Sequence, residues 1–340
     1  MEVLIIGAGV AGCSCAIQLL KAGFNVRIID IVTFPRFRPG ESCHPGIEPL
    51  LQQLDVWQDI LNLKPIRYNS TFVNYQGKET EQFFNEDNNW QGFQFPRETF
   101  DKILLDKAIS LGAKFIPQAK TLSIVSRENY VSTIITDKGE FKFDFLIDAT
   151  GSKSLTSIKL GLQREKHSKP IISNYCQIVT TEDLHVKQKS YFEITSEYWG
   201  YISLIKPKTY SVTYSSKNSS KETDKNLFLS KHFCNDYSVI ISKSFETSWS
   251  ITQNCKFQNL YLVGDALMTF DPTSSKGILK SIMTGIYAAY ILDNVKTNKL
   301  TEKQGSIAYQ KWTLEFFEKE LVNIKTLLPS TMVENVFINK

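Results

Sequence analysis

Residues 3–12 read VLIIGAGVAG, and this stretch decides the fold. Its first four residues are apolar and predict a buried strand, which runs directly into a GxGxxG turn made by Gly7, Gly9 and Gly12. Helical periodicity follows the turn, and a second apolar strand ends at Asp30. The order strand, turn, helix, strand predicts a Rossmann-like unit that binds a dinucleotide rather than a coincidental glycine-rich turn.

Each glycine of this pattern has a physical role at a dinucleotide site. Gly7 permits the tight turn, Gly9 lets the backbone approach a pyrophosphate, and Gly12 lets the helix pack closely on the strand. The free N–H groups of the helix N-terminus attract the anion. Asp30 stands where a carboxylate can accept hydrogen bonds from the ribose hydroxyl groups of an adenosine.

The composition is that of an ordinary globular protein with a substantial core. The 340 residues are 42% hydrophobic, and 39 basic against 35 acidic residues give a net charge of +4 without a basic block. Nucleic acid is therefore not favoured as a partner, and no apolar window is long enough for a membrane span. The six cysteines form no CxxC pair and no zinc-binding pattern, so we expect reduced thiols, no metal site and a cytoplasmic protein.

Two further apolar strands end in small-residue turns. Residues 143–151 read FDFLIDATG, and residues 260–266 read LYLVGDA. The second of these is followed by DPTSSKG at residues 271–277 and then by a long amphipathic helix to about Asn294. The chain thus carries three separated motifs, each at the end of a predicted buried strand.

The three motifs, in this order, resemble the FAD fold of glutathione-reductase type found in aromatic-ring hydroxylases, flavin-dependent halogenases and geranylgeranyl reductases. The resemblance implies an α/β fold (α+β overall): a Rossmann-like FAD-binding domain, an antiparallel β-sheet substrate domain and a short helical C-terminus. Alternating runs rich in aromatic and β-branched residues also favour the antiparallel sheet. The predicted FAD-binding domain comprises residues 1–64, 96–160 and 251–300, the substrate domain 65–95 and 161–250, and the C-terminal helical segment 301–340.

The resemblance also implies roles for individual residues. Asp265 would hold the ribityl chain, Arg97 at a helix start would contact FAD, and residues 36–42, RFRPGES, resemble the Gly-Glu-Ser segment beside the isoalloxazine. A surface arginine remains the alternative for Arg97, and a helix N-cap remains the alternative for Glu41. The predicted FAD-binding residues are Gly7, Gly9, Ala11, Gly12, Asp30, Arg36, Arg38, Ser42, Arg97, Thr150, Gly151, Gly264, Asp265, Pro272, Lys276, Gly277 and Ile278.

The helix that starts near Gly277 has a role that follows from charge. Reduction places negative charge on the N1–C2=O edge of a flavin, and a helix N-terminus aimed there stabilises the anion. Gly277 lets the backbone come close to the ring because it has no side chain. The alternative is a plain turn before a core helix.

The reaction is narrowed by what the sequence lacks. No second GxG motif occurs, so electrons come from an external donor: NAD(P)H that docks transiently, a reductase, or free reduced flavin. Arg67 stands about where halogenases carry a lysine, and a guanidinium is a poorer partner for that chemistry, which disfavours halogenation. We therefore predict an FAD-dependent monooxygenase that hydroxylates an electron-rich aromatic ring through a flavin C4a-hydroperoxide.

Candidates for proton transfer and substrate contact are few. His44 and Glu41 lie in or beside the Gly-Glu-Ser segment and are the predicted catalytic residues, although a structural histidine remains the alternative for His44. Trp90, Trp199 and Trp249 are candidates for lining the substrate cavity, with plain core packing as the alternative.

The short segment after the flavin helix suggests an open cavity that suits a large substrate. In this the chain resembles the small flavoproteins of the LodB and GoxB type, which modify a tryptophan of a partner oxidase while its cysteine tryptophylquinone cofactor forms. The resemblance implies a possible protein substrate, a quinone-cofactor oxidase precursor. The alternatives are a geranylgeranyl-reductase-like reductase of a small molecule, a flavin-dependent halogenase, and a flavin-bound assembly factor.

Overall fold

The computed structural model describes residues 1–87, 90–181, 190–216, 222–233 and 236–338. Its strands, in chain order, are β1 (Glu2–Ile6), β2 (Asn25–Ile29), β3 (Ser42–Cys43), β4 (Ile66–Tyr68), β5 (Ser70–Tyr75), β6 (Lys78–Phe83), β7 (Gly92–Gln94), β8 (Lys114–Ile116), β9 (Thr121–Arg127), β10 (Tyr130–Thr136), β11 (Gly139–Lys142), β12 (Phe145–Asp148), β13 (Arg164–Lys166), β14 (Ile172–Val179), β15 (Ser190–Ile194), β16 (Tyr198–Lys206), β17 (Thr209–Ser216), β18 (Ser238–Glu246), β19 (Ser250–Thr252), β20 (Leu260–Leu262) and β21 (Met268–Thr269). The α-helices are α1 (Val10–Lys21), α2 (Glu48–Gln53), α3 (Trp57–Asn62), α4 (Arg97–Ser110), α5 (Leu155–Leu160), α6 (Glu222–Phe233), α7 (Gly277–Lys296), α8 (Glu302–Leu327) and α9 (Ser330–Val336).

A parallel sheet with the order β20-β12-β1-β2-β8 forms the centre of the FAD-type half. Val3, Leu4 and Ile5 of β1 are fully buried, because this strand lies in the middle of the sheet and is covered on both faces. The carboxyl ends of β1, β12 and β20 lie side by side, since these strands are parallel neighbours. This pairing confirms the Rossmann-like core and brings the three sequence motifs to one edge of the sheet.

A second, seven-stranded sheet has the order β18-β14-β17-β16-β15-β5-β6. Its pairs are antiparallel as predicted, except that β15 and β5 run parallel. Helix α6 packs on this sheet through Phe228, Leu229 and Phe233, which share a hydrophobic cluster with Tyr191 and Tyr210. The sheet therefore has its own small core beside the main one.

Two small sheets join the halves of the molecule. One pairs β3 with β7 and β7 with β4, and the other pairs β13 with β19 and β19 with β21. Because β3 lies before residue 64 and β4 after it, the first small sheet crosses the domain limit that the sequence predicts there. The domain limits stay a prediction, and the two halves share these strands.

The C-terminal segment is helical, as predicted, and packs on the FAD-type half. Helix α8 begins with a capping box in which Thr301 and Gln304 exchange hydrogen bonds. Trp312 stacks against Tyr287 of α7 with ring centroids 4.3 Å apart. None of the helices in the described ranges is both long and apolar enough to cross a membrane.

Candidate functional site

The glycine-rich turn after β1 is closed by contacts that only glycine tolerates. Gly7 has φ +106°, and a Cβ there would lie 2.3 Å from the carbonyl oxygen of Ala149. A Cβ on Gly12 would lie 2.0 Å from the carbonyl oxygen of Gly7. Asp30 at the end of β2 accepts the N–H of Ala8 at 2.7 Å. Strand, turn and helix are thus held in the compact form that leaves the start of α1 accessible to an anion.

Arg36 brings positive charge to the same turn. Its Nη2 lies 3.1 Å from the point that a Cβ of Gly9 would occupy, and its guanidinium stacks 4.7 Å from the ring centroid of Phe34. Its Nε and Nη1 atoms are buried and donate to nothing in the described chain. Burial lowers the pKa of Arg36, and repulsion from the exposed Arg38 adds to the shift. A cation with unused donors beside a glycine-lined helix start fits a pyrophosphate.

Ala11 lies where α1 crosses α7. A Cβ on Gly285 would come within 2.5 Å of the Ala11 carbonyl oxygen, and one on Gly264 within 2.8 Å of the Ala11 Cβ. Small residues at these positions let the two helices approach closely. The structure therefore gives Ala11 a role in helix packing. Its contact with the cofactor stays a prediction.

The turn after β12 is fixed by a buried carboxylate. Asp148 is fully buried and accepts the N–H and hydroxyl of Thr150 at 2.9 and 2.6 Å. It also accepts the N–H and hydroxyl of Thr156 at 2.8 and 2.6 Å. Gly151, with φ +79°, completes the turn. Thr150 and Gly151 are therefore held rigidly beside the Gly7 turn.

Asp265, after β20, is half exposed and is backed by a buried lysine. Its side chain is 51% exposed, whereas Lys280 is 1% exposed and donates to the Asp265 carboxylate at 2.5 Å. Arg164 holds the backbone of the same turn by donating to the carbonyl oxygens of Asp265 and Ala266 at 2.9 and 3.0 Å. Burial opposes ionisation of Asp265, but Lys280 and Arg164 lower its pKa overall. The turn therefore presents a fixed carboxylate at the surface.

The loop at residues 271–277 leads into α7. Asp271 accepts the indole N–H of Trp249 at 3.0 Å and a short hydrogen bond from the hydroxyl of Thr273, and burial raises its pKa to about 6. Pro272 opens a short 3-10 turn, and α7 begins at Gly277 with no side-chain cap in the described chain and no acidic residue in its first turn. A Cβ on Gly277 would meet nothing within 4 Å, so this helix start is open to a ligand.

A family profile described as FAD binding domain matches residues 1–303. The chain belongs to this family. Its cofactor is therefore FAD, and the glycine turn with the unused donors of Arg36 fits the pyrophosphate of that molecule.

Two curated relatives show how far the likeness reaches in sequence. The FAD protein is similar to the flavin-dependent halogenase armH4 of Armillaria mellea, with 28% identity over 176 residues that cover 46% of this chain and 33% of that protein. It is also similar to a menaquinone reductase of Mycobacterium tuberculosis, with 30% identity over 170 residues that cover 47% of this chain and 40% of the reductase. The FAD protein thus spans less than half the length of these curated relatives.

Solved structures extend the likeness over nearly the whole chain. The flavin-dependent halogenase CmlS has a TM-score of 0.82 at 22% identity and covers 100% of this chain and 68% of its own. The p-nitrophenol 4-monooxygenase PnpA from Pseudomonas putida DLL-E4 has a TM-score of 0.78 at 16% identity and covers 96% of this chain and 89% of its own. These likenesses show the mixed α/β FAD-binding fold of the halogenase and monooxygenase type. The proteins that the chain resembles are named as flavin-dependent halogenases, a menaquinone reductase and a monooxygenase.

Arg97 fixes the Gly-Glu-Ser segment of the FAD protein to α4. Its guanidinium makes a two-pronged ion pair with Asp101, at 2.9 Å for the closest atoms, and donates to the carbonyl oxygen of Pro39 at 2.9 Å. The side chain is 13% exposed, so the alternative of a surface arginine is wrong. Its contact with FAD stays a prediction, because these hydrogen bonds already use donors on both sides of the guanidinium.

Glu41 links this segment to the large sheet. It is 2% exposed and accepts a very short hydrogen bond from the hydroxyl of Tyr175 and one from the amide of Gln177 at 3.2 Å. Burial raises the pKa of Glu41, while the bond from Tyr175 opposes the shift. Glu41 precedes a strand and not a helix, so the N-cap alternative is wrong, and a catalytic role stays a prediction.

His44 and Ser42 flank Cys43 at the end of the same segment. The Nδ1 atom of His44 accepts the N–H of Gly46 at 3.0 Å, so any proton of the neutral ring sits on Nε2. Burial lowers the pKa of His44, and the nearby Lys276 lowers it further. Ser42 accepts the hydroxyl of Tyr201 at 3.1 Å. This hydrogen bond with Gly46 is what the alternative of a structural histidine predicts. A role for His44 in proton transfer stays a prediction.

A cavity of about 270 Å³ lies between the loop before α7 and the large sheet. Thr273 and Ser275 line it on the loop side, Phe192 and Tyr201 line it on the sheet side, and Leu327 of α8 lines one end. Because Thr273 also binds Asp271, the loop that precedes the FAD helix forms one wall of this space. The C-terminal helix thus contributes Leu327 to the wall of this cavity, and the expectation of an open cavity stays a prediction.

The three candidate tryptophans lie apart from this cavity's described walls. Trp249 is fully buried in the core, where its indole binds Asp271. Trp199 lines a second cavity of about 170 Å³ together with Asp271. Trp90 is 41% exposed and packs edge-on against His44 at 5.2 Å. Core packing, the alternative that the sequence left open, describes Trp249.

Arg67 points away from the cavity. Its guanidinium lies 4.4 Å from the ring centroid of Phe93, and its Nη2 lies 3.8 Å from Glu48. The next residue on β4, Tyr68, turns the other way and donates to the carbonyl oxygen of Cys43 at 3.2 Å. Arg67 is absent from the described residues that line the cavity.

Sequence reasoning missed two cations near the Asp265 turn, the buried Lys280 and the half-buried Arg164. Lys280, Thr284 and Ala288 are spaced four residues apart and lie on the same buried face of α7. A single lysine on a helix face that otherwise carries small residues could have indicated a buried cation. Arg164 had no local signal, because its partners are backbone atoms 101 and 102 residues away. The described chain contains no cluster of three or more residues suited to hold a metal ion.

Proposed function

We propose that the protein uses FAD and dioxygen to attack an electron-rich aromatic small molecule in the 270 Å³ cavity. The observation that carries the proposal is the position of this cavity, between the loop that starts the FAD helix and the aromatic wall of the large sheet. Its volume is close to the lower end for small-molecule sites, so it fits a substrate of one or two rings. An external electron donor, such as free reduced flavin or NAD(P)H, reduces the bound FAD, which then supplies the electrons for the reaction.

The side chains of the cavity suit an aromatic substrate with a polar group. Phe192 offers a ring face for packing, and the C-terminal Leu327 helps to exclude water. The Tyr201 hydroxyl is held between the hydroxyl groups of Ser42, at 3.1 Å, and Ser190, at 2.8 Å. This hydroxyl is placed to orient a phenol or pyrrole group of the substrate at the wall.

Halogenation is the outcome that the comparisons favour, because the relatives that resemble the chain are mostly flavin-dependent halogenases. Hydroxylation is the second candidate. It is favoured by Arg67, which stands at the halogenase lysine position in sequence but packs on Phe93, outside the cavity. The monooxygenase PnpA shares the fold of this chain.

The experiment supplies the FAD-loaded protein with free reduced flavin, oxygen, bromide or chloride, and a panel of phenols, pyrroles and indoles. Mass spectrometry then separates a halogenated product from an oxygenated one. We expect a product that depends on oxygen, and its loss in Thr71→Phe, which fills the cavity. Thr80→Phe, on the exposed strand β6, is the matched control. A reduced flavin that is inert to oxygen with every substrate would overturn the proposal in favour of a reductase.

The remaining expectations from the sequence stand as predictions. A tryptophan of a quinone-cofactor oxidase precursor as the substrate has no support from the comparisons. A role as a flavin-bound assembly factor and a cytoplasmic location are untested. Adding a tryptophan-containing precursor to the same assay tests the protein substrate directly.

A further inference from the structure

Lys280 is a buried cation whose side-chain contacts all lie in residues 265–270, which include the predicted FAD ligand Asp265. Its Nζ donates to the Asp265 carboxylate at 2.5 Å and to the Met268 carbonyl oxygen at 2.7 Å, and it lies 5.1 Å from the ring centroid of Phe270. The side chain is 1% exposed although it sits near the start of α7, where a lysine ordinarily reaches water. Sequence spacing did not assign it a role.

The two side chains of the Lys280–Asp265 ion pair differ in their exposure to solvent. Asp265 is 51% exposed and Lys280 is 1% exposed, so the carboxylate is accessible to a ligand while the ammonium group is buried behind it. Arg164 fixes the backbone of the same turn, and Arg97 contributes to the positive potential that Asp265 experiences. Burying an ion is costly unless it is compensated, and here the compensating partner is the residue that faces the ligand.

We propose that Lys280 is a positioning residue for FAD: it holds Asp265 in one orientation toward the cofactor and places a positive charge that stabilises the reduced, anionic flavin. The inference rests on FAD binding and not on the proposed reaction with dioxygen. Two consequences follow. Without the ammonium, Asp265 becomes an uncompensated charge beside an anionic ligand, and the reduced cofactor loses a favourable Coulomb interaction.

The test uses Lys280→Met, which keeps the length of the side chain, and Lys280→Arg, which keeps the charge. Lys296→Met is the matched control, because Lys296 lies at the far end of the same helix and binds the carbonyl oxygens of Ala22 and Gly23. The measurements are the dissociation constant of FAD for the apo-protein between pH 5 and pH 8 and the reduction potential of the bound flavin against a reference dye.

We expect Lys280→Met to weaken FAD binding about tenfold or more. Its affinity should fall as the pH rises, because the Asp265 carboxyl group then loses its proton without the ammonium group beside it, while the wild-type profile stays flat. Its flavin should have a lower reduction potential. Lys280→Arg should restore both properties, and Lys296→Met should match the wild type. Unchanged affinity, pH profile and potential in Lys280→Met would overturn the proposal.

A double variant keeps the proposal testable if Lys280→Met does not fold. Asp265→Asn combined with Lys280→Met removes both charges and leaves no unpaired ion in the turn. Compared with Asp265→Asn alone, the double variant should have a lower flavin potential, because it lacks the ammonium. Equal potentials in these two proteins would show that Lys280 serves packing alone. None of these measurements uses oxygen or a substrate, so they fail independently of the proposed reaction.

Discussion

Single residues set the charge of the cofactor cleft, and they do so in two ways. Arg36 is a cation with unused donors at the glycine turn, and its predicted partner there is an anionic group of the ligand. Lys280 already has a carboxylate at 2.5 Å, and it fixes that carboxylate in turn. The glycines of the turn determine how closely a ligand can approach the backbone, because a methyl group at these positions would occupy space next to the ligand or collide with the protein.

Gly9 and Gly12 should respond differently to alanine. In Gly9→Ala the new Cβ meets only the flexible end of Arg36, at 3.1 Å, so the protein should fold while the methyl group blocks the pyrophosphate. We expect FAD affinity to fall about tenfold or more at an unchanged melting temperature. Gly12→Ala brings its Cβ to 2.0 Å from a backbone oxygen and should lower the melting temperature as well. Thermal unfolding and FAD titration measure both effects, and Gly9→Ala binding FAD normally would contradict the role of Gly9.

Asp271 should make stability depend on pH. Burial raises its pKa from 3.8 to about 6, so the protonated group contributes stability that is fully present below the unfolded value and is lost as the pH rises through about 6. Asp271→Asn keeps an acceptor for Trp249 but does not titrate. From pH 4 to pH 7 the wild type should lose about 2 kcal/mol of unfolding free energy relative to this variant. Denaturant unfolding at each pH measures the difference, and parallel pH profiles would refute it.

Secondary-structure elements are attached to one another by a few polar clusters. Helix α6 is tied to β15 by Glu193, which is 2% exposed and accepts from Lys231 and from His232, at 2.8 Å for the histidine. Tyr198 on the neighbouring strand donates to the same carboxylate at 2.6 Å. Burial opposes the charge of Glu193, yet His232, Lys231 and Tyr198 lower its pKa to about 2.

Removing this charge should loosen α6 from the sheet. We expect Glu193→Gln to lower the unfolding free energy by about 1–3 kcal/mol at pH 7, because three donors lose a charged acceptor. The lowered pKa means that the stabilisation is present above 4.5 and is lost as the pH falls toward 2, so the gap to the wild type should close in acid. Lys231→Met, whose side chain is 50% exposed, should cost less than about 1 kcal/mol. Urea unfolding from pH 3 to pH 7 tests this; a gap that is constant across the range would contradict it.

At the scale of the whole molecule, the cofactor half and the large sheet are joined through the Gly-Glu-Ser segment. Glu41 reaches β14 through Tyr175 and Gln177, and Arg97 clamps the residues just before it to α4. The 270 Å³ cavity lies between the same two halves.

Tyr175→Phe should weaken this bridge without altering the ring. Loss of a hydrogen bond to a buried carboxyl group is expected to lower the unfolding free energy by about 1.5–3 kcal/mol, and FAD should bind more weakly because the segment beside it is less fixed. Tyr290→Phe, which removes a hydroxyl from a side chain that is 59% exposed, is the control. Guanidinium unfolding with and without FAD measures both effects. Wild-type stability in Tyr175→Phe would show that the bridge contributes nothing.

The sequence by itself determined the cofactor half of this protein. The turn at Gly7, the strand that ends at Asp148 and the helix that begins at Gly277 are encoded locally, because a positive φ, a buried apolar run and an open helix start each depend on neighbouring residues. Parallel pairing then had to bring these strand ends together. FAD as the ligand follows from the order of these motifs.

Only the tertiary structure decided which side chains meet across the cleft. Glu41 and Tyr175 are 134 residues apart, and Lys280 meets Asp265 because α7 folds back beneath the turn it follows. Whether Arg67 enters the cavity or packs on Phe93 depends on the face of β4 that the neighbouring sheet covers. Such contacts are fixed by how the sheets and helices pack and not by spacing along the chain, since burial and charge compensation act between whichever groups the fold places within a few ångströms.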